Sequence, residues 1–176
     1  MSRTTVLHII AGAVAALAAN SAAAQVLWQN IEAGMTAAEI RRAQPHASVV
    51  TGAKETLRGG WASCELSVRS YEVQGHNFSV CFFMREGKLI QVMMRSGAPS
   101  IVAFRSLGDL LRAKYGQELS PAPDPCRRIG SMNMCELKWL LPSGVNVSAI
   151  YMDIGGRGPV FNINYRTAMR EESSKL

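Results

Sequence analysis

Two histidines outside the N-terminal region, His46 and His76, are the side chains best suited to acid–base chemistry near neutral pH. His46 follows Pro45 at the end of a predicted helix, and His76 lies in a predicted hairpin turn, so neither has a partner at a recognisable spacing. We therefore predict that both are solvent-exposed. If the chain is instead a small enzyme, such as a hydrolase with a scattered site, these histidines are its candidate bases.

Few other motifs could carry chemistry. Residues 155–158 (Gly-Gly-Arg-Gly) could cradle an anion with their backbone amides, but Asp153 beside them would repel phosphate, which favours a plain hairpin loop. The sequence contains no nucleophile elbow, zinc-protease helix or phosphate-binding loop, and its cysteines lack the close spacing of metal ligands. We therefore predict no catalytic residue, no cofactor-binding residue and no metal site.

The N-terminal region has the three parts of a secretory signal peptide. Arg3 supplies the positive charge, residues 6–19 form an apolar stretch, and Ala22 and Ala24 fit a small-residue cleavage pattern. Cleavage is predicted after Ala24, with cleavage after Ala23 as the alternative. A membrane anchor is the other interpretation, although the apolar stretch is shorter than the ~20 residues that span a bilayer. The mature protein is therefore expected to be periplasmic or secreted.

Nineteen Lys and Arg residues against thirteen Asp and Glu residues give a net charge of +6, and Arg3 is the only charged residue of the leader. The remaining +5 suits an acidic protein, an anionic polymer or an anionic membrane surface. The mature chain has no dense Lys/Arg run of the kind that binds nucleic acid. We predict another envelope or secreted protein as partner, with no nucleic acid and no transmembrane segment after signal cleavage.

All four cysteines, Cys64, Cys81, Cys126 and Cys135, lie beyond the leader. An even count in an oxidising compartment predicts two structural disulfides, for which three pairings are possible. The residues around Gly130 can fold back and bring Cys126 to Cys135, and Cys64–Cys81 then follows by elimination.

The alternation of apolar residues conflicts with the second of these pairs. Cys64 lies on the apolar face of its predicted strand, whereas Cys81 lies opposite the face of Phe82, and a cross-strand disulfide needs both cysteines on one face. A bulge near Gly75 would bring them together. Otherwise Phe83, rather than Phe82, faces the core.

Two helices and two groups of strands are predicted. Thr36 and Glu39 form a capping box that starts a short helix, which Pro45 ends. Ser100 opens a second helix that ends at Gly116. Alternating apolar residues predict an antiparallel meander after the first helix and three strands after the second.

The predicted fold class is therefore α+β, with two short helices packed on antiparallel sheet in the order helix, strands, helix, strands. We expect a signal peptide at residues 1–24, one domain at 25–168 and a frayed tail at 169–176. The repeated order leaves open two similar halves, 25–97 and 98–168.

Trp28, Tyr71, Met93 and Met94 are candidate interface residues. Tyr71 lies on the polar face of its predicted strand, and the adjacent Met93 and Met94 cannot both point inward. Aromatic residues and methionine commonly anchor protein interfaces. The alternative is that these residues belong to a second core face covered by a helix.

The segment Ile-Glu-Ala-Gly-Met-Thr-Ala-Ala-Glu-Ile at residues 31–40 resembles the repeat start of the beta-lactamase inhibitor protein family and of bacterial outer-membrane-assembly lipoproteins of similar fold. In those proteins Gly-Met-Thr, here Gly34, Met35 and Thr36, opens a short helix that packs on an antiparallel sheet. The chain differs from the lipoproteins in lacking a lipid-bearing cysteine, and from the inhibitors in lacking a Gly-Met-Thr before its second helix. No binding residue is carried over.

Export, small size, paired cysteines and the lack of a catalytic motif predict a non-enzymatic protein-binding module of the bacterial periplasm, of the inhibitor, immunity or envelope-assembly type. Two alternatives stay open: a small envelope hydrolase with an unrecognised site, and a carrier that holds an apolar ligand between helix and sheet. A deep pocket with converging polar groups would favour the enzyme, whereas a flat apolar patch would favour protein binding.

Overall fold

The computed structural model describes residues 25–57, 59–119 and 124–167. The predicted signal peptide at residues 1–24 and the predicted tail at residues 169–176 lie outside these ranges. The helices, strands and contacts given below belong to the described residues.

Eight of the ten described strands belong to one sheet. The bounds of the elements, in chain order, are β1 (Val26–Trp28), β2 (Ile31–Glu32), α1 (Ala37–Ala43), β3 (Ser48–Val49), β4 (Ser63–Val73), β5 (His76–Arg85), β6 (Lys88–Ser96), α2 (Ile101–Tyr115), β7 (Cys126–Ile129), β8 (Met132–Leu140), β9 (Val145–Asp153) and β10 (Pro159–Thr167). β1 and β2 form a small hairpin, and the other strands form an antiparallel sheet in the order β3-β4-β5-β6-β10-β9-β8-β7. At the centre of this sheet β6 pairs with β10, where Met94 lies opposite Ile163.

Both predicted helices are present, with the predicted caps. Thr36 and Glu39 satisfy each other's backbone amides at the start of α1, which is the expected capping box. At the start of α2, Ser100 Oγ accepts a backbone amide hydrogen bond at 3.0 Å, and Gly116 ends this helix with a φ of +79°. α1 buries only Ile40, whereas α2 buries an apolar stripe along its length.

The predicted α+β class, with two short helices packed on antiparallel sheet, was wrong because the protein is mostly β. The strands of a large eight-stranded antiparallel sheet and a two-stranded sheet contain far more of the described residues than the two described helices do. Helix caps are strong local signals in a sequence, and for this reason the two helices counted too heavily in the prediction of the fold class. The pairing of β6 with β10, which merges the two groups of strands into one sheet, leaves no local pattern in the sequence.

Both predicted cysteine pairs, Cys64 with Cys81 and Cys126 with Cys135, lie at disulfide distance. Cys126 and Cys135 lie directly opposite each other on β7 and β8. The first pair joins β4 to β5 and the second joins β7 to β8, so the pairs lie toward opposite edges of the sheet. Paired cysteines are typical of an oxidising compartment, which agrees with a non-cytoplasmic location.

A bulge in β4 resolves the conflict over the faces of the first pair. Cys64 pairs with Phe83, whereas Leu66 pairs with Phe82, so β4 has one extra residue at this point. This bulge lies between Cys64 and Leu66, whereas it was expected near Gly75. Phe82 and Phe83 are both fully buried, in separate clusters on the two faces of the sheet.

The two faces of the large sheet carry apolar clusters of very different size. The core face carries the main cluster, which includes Phe78, Phe82, Phe104, Val147 and Phe161. The second face carries a small cluster of Ala62, Cys64, Cys81, Phe83 and Met93. The helix α2 and the hairpin of β1 and β2 contribute to the core-face cluster.

The segment ahead of β4, residues 50–57, contributes to the covering of the second face. Val50 and Leu57 pack against the small cluster, and the carboxylate of Glu55 pairs with Arg95 on β6. The second apolar face expected as an alternative therefore exists, but a loop packs on it where a helix was expected.

Candidate functional site

The four candidate interface residues do not form one exposed patch. Trp28, Met93 and Met94 are only 6%, 7% and 3% exposed, and Tyr71 is half-buried. The structure brings Trp28, Tyr71 and Met94 together in the wall of one cleft on the core face. Met93 lies on the second face, in the small cluster with Cys81. Any contact of Trp28, Tyr71 or Met94 with a partner would therefore be made through the cleft.

Tyr71 reaches the cleft because of the second bulge in β4. Val68 pairs with Val80 and Tyr71 pairs with Phe78, so β4 advances three residues while β5 advances two. This extra residue puts Tyr71 and Val73 on the core face with Val68. The predicted position of Tyr71 on the polar face of its strand was wrong for this reason.

The cleft, named the aromatic cleft from here on, lies between β1, the C-terminal half of α2 and the core face of the sheet. Its volume is about 450 Å³, which is within the usual range for small-molecule sites. Its lining is mostly apolar and includes Trp28, Leu111, Tyr115, Met94, Ile163 and Tyr165. The site therefore has apolar walls with hydroxyl groups from several tyrosines.

Aromatic contacts hold the β1 side of the cleft in place. The Trp28 ring packs edge-on against Tyr71, with 5.0 Å between ring centroids, and against Phe82 at 5.9 Å. The side-chain amide of Gln29 donates a hydrogen bond to the Tyr71 hydroxyl at 2.6 Å. These contacts fix the position of Tyr71 relative to β1.

Polar contacts hold the end of α2 in place. The Trp139 indole N–H donates to the Gly116 carbonyl at 2.8 Å, which satisfies a free carbonyl at the helix end. Arg112 makes two hydrogen bonds to the Glu118 carboxylate, at 3.0 and 2.8 Å, which lower the pKa of Glu118. Lys114 and Tyr115, which line the cleft, are thereby held on an anchored turn.

One lysine and several tyrosines provide the charge and the hydroxyl groups of the cleft. Burial raises the pKa of Tyr165, and the neighbouring hydroxyl of Tyr115 raises it further, so this phenol stays protonated at physiological pH. Of the described residues that line the cleft, only Lys114 is charged, and none is a histidine or a carboxylate. The polar side chains of the lining are therefore Gln29, Lys114 and three tyrosines.

The residues proposed for chemistry lie away from the cleft. His46 is exposed and His76 is half-buried, and neither lines the aromatic cleft. In the turn between β9 and β10, Asp153 accepts a hydrogen bond from the Gly155 amide at 3.2 Å, so that amide already has an acceptor. Within residues 25–57, 59–119 and 124–167, no three His, Cys, Asp or Glu side chains are grouped to hold a metal ion. Neither described helix is long and apolar enough to cross a membrane.

Several cleft residues were missed from the sequence. Tyr115 reads as the last member of the apolar stripe of α2, Tyr165 as a core-facing strand residue, and Lys114 as solvated. The available signal was that two tyrosines, Tyr115 and Tyr165, stand near the ends of core-facing runs. Comparison with protein families, curated proteins and solved structures found no match for this chain. The resemblance at residues 31–40 therefore stays a prediction.

Proposed function

We propose that this chain is an exported, non-enzymatic binding protein that holds an apolar ligand in the aromatic cleft, as a carrier or receptor of the bacterial periplasm. The observation that carries the proposal is a cleft of ligand size with aromatic and aliphatic walls and no histidine or carboxylate among its described residues. The ligand sits between α2 and the sheet, as the carrier alternative expects.

The cysteine pairs support the exported location in this proposal. Two pairs at disulfide distance are expected where thiols are oxidised, and the predicted signal peptide directs the chain there. Mature protein purified from the envelope would carry both disulfides and begin near Gln25, which intact-mass measurement checks.

A cleft-blocking variant tests ligand binding. Leu110 lines the cleft and is 37% exposed, so Leu110→Trp adds a ring at the mouth without replacing a core residue. Native mass spectrometry of purified wild-type protein is expected to show a copurifying apolar ligand, or saturable binding of an added apolar probe. Leu110→Trp is expected to reduce occupancy at least ~10-fold, since its indole takes up part of the ligand's volume.

The matched control is Val102→Trp. Val102 lies on the same helix, is 72% exposed and does not line the cleft. Val102→Trp should leave the ligand occupancy of the cleft unchanged. If neither ligand nor probe binds the wild-type protein, or if both tryptophan variants behave alike, the carrier proposal is wrong.

Protein binding is the second candidate, and the polar half of the second face favours it. Strands β9 and β10 present half-buried polar side chains on this face, among them Ser148, Asn162 and Asn164. Side-chain amides and hydroxyls of this kind can form hydrogen bonds with a partner protein. Affinity capture from envelope extract should then recover a stoichiometric protein with both wild-type and Leu110→Trp baits. Repeated failure to recover one would count against this candidate.

A further inference from the structure

We infer that the aromatic cleft selects an amphipathic ligand with a single anionic head, such as a long-chain carboxylate, and that Lys114 binds this head at the mouth. The inference rests on the proposed function, because it names the ligand class of the same cleft. The observation behind it is a positive charge at the mouth of an otherwise uncharged apolar site.

The nearby carboxylates leave the Lys114 ammonium free for a ligand. Asp109 and Glu118 are both engaged by Arg112, at 2.9 and 2.8 Å. Lys114 makes no ion pair with any residue in the described part of the chain. Its Nζ lies 5.0 Å from the centre of the Tyr115 ring, so a cation–π contact holds the ammonium over a ring that lines the cleft.

The walls of the cleft suit the apolar body of such a ligand. Leu107, Leu111 and Ile163 provide aliphatic surface, and the flexible thioether of Met94 can adapt to the shape of a chain. A cationic head would be repelled by Lys114. A neutral head would leave its ammonium without a partner, so an anion is the complementary head group.

Three probes with one chain length separate the head group from the body. We would titrate mature protein with dodecanoate, dodecanol and dodecyltrimethylammonium and measure Kd by calorimetry. The two ionic probes are kept below their micelle concentrations and dodecanol below its solubility limit. Dodecanoate is expected to bind at least ~10-fold more tightly than dodecanol, as for one hydrogen bond to a charged group. Dodecyltrimethylammonium is expected to bind most weakly.

Lys114→Met removes the charge and keeps a side chain of similar length. It is expected to abolish the preference for dodecanoate while changing dodecanol affinity less than ~2-fold, and Lys114→Arg is expected to retain the preference. The control is Lys88→Met, at an exposed lysine that does not line the cleft. Since Lys114 is exposed, these variants are expected to fold, which thermal unfolding checks.

The outcomes distinguish the inference from the proposed function. If dodecanol and dodecanoate bind equally, or if Lys114→Met keeps the preference, the head-group inference is overturned while ligand binding in the cleft stands. If none of the three probes binds, or if Leu110→Trp leaves their binding unchanged, the proposed function fails and the inference fails with it.

Discussion

The core face and the second face of the large sheet are built from the same strands, yet they end in different surfaces. On the core face, α2 and the β1–β2 hairpin cover an extensive apolar cluster and leave the aromatic cleft between them. On the second face, residues 50–57 pack on a small cluster, and β9 and β10 present half-buried polar side chains. A binding cleft arises where two separate elements cover one face incompletely.

The two bulges of β4 assign residues to these faces. One bulge puts Cys64 on the second face next to Cys81, and the other puts Tyr71 and Val73 on the core face. Each bulge changes which side chains face a given side, because side chains alternate along a strand. The composition of both surfaces therefore depends on two extra residues in one strand.

The largest expected effect comes from removing the aromatic anchor of α2. Phe104 packs against Phe161 with 5.8 Å between ring centroids, so Phe104→Ala is expected to cost about 3–5 kcal/mol in unfolding free energy. It should also abolish ligand binding, because α2 forms one wall of the cleft. Denaturant unfolding and the calorimetric titration measure both effects.

Phe83→Ala is the matched change on the second face. Phe83 is also fully buried, so a similar loss of about 3–5 kcal/mol is expected, with ligand binding retained where the protein is folded. If Phe83→Ala abolished binding and Phe104→Ala did not, the assignment of the site to the core face would be wrong.

An intermediate effect is expected from the cysteine pairs. Replacing Cys64 and Cys81 by alanine should cost about 3 kcal/mol of unfolding free energy. Their sequence separation is 17, and a disulfide that closes a longer loop stabilises the protein more. The Cys126 and Cys135 pair, with a separation of 9, should cost slightly less. Denaturant unfolding of the two double variants tests this order, and an unchanged midpoint in both would contradict it.

The smallest effect expected is a pH dependence. Hydrogen bonds from Arg112 lower the pKa of Glu118 in the folded protein, whereas in the unfolded chain this pKa returns to ~4.3. The contribution of the Glu118 carboxylate to the free energy of unfolding is therefore fully present above pH ~4.3. It is lost as the pH falls through the lower pKa that Glu118 has in the folded protein. Glu118→Gln should destabilise the protein by about 1 kcal/mol at pH 7, and by less as the pH falls below ~4.3.

Glu65→Gln gives the comparison on the other side of the molecule. Hydrogen bonds from Lys54 and Ser63 lower the pKa of Glu65, so its contribution to stability is also lost as the pH falls. Both partners of its ion pair are about one third exposed, so a smaller effect is expected than for Glu118. A larger effect for Glu65→Gln than for Glu118→Gln in thermal unfolding at pH 7 would reverse this comparison.

Local sequence was sufficient for features that depend on a few adjacent residues. The capping box of Thr36 and Glu39, the Ser100 cap and the Gly116 helix end are all present as predicted. The turn between β5 and β6 is a local feature of the same kind, because Glu86 and Gly87 both have positive φ. The pairing of Cys126 with Cys135 is also local, because a short hairpin with a sequence separation of 9 brings the two cysteines together.

The candidate site was only partly predictable. Trp28, Tyr71 and Met94 were singled out by residue type, but an exposed interface was expected and the structure places them in a cleft wall. Lys114 and Tyr115 were missed, since a helical stripe does not show which of its residues border a gap. The histidines His46 and His76, singled out for their chemistry, lie outside the cleft.

The sequence by itself therefore determined the helix ends, the tight turns, the local cysteine pair and the strand-forming character of most of the chain. Tertiary structure alone decided the pairing of β6 with β10, the bulges of β4 and the cleft between β1 and α2. The physical reason is range. Caps and turns are stabilised by hydrogen bonds between neighbouring residues, whereas strand register and a gap between elements depend on contacts between residues far apart in the chain.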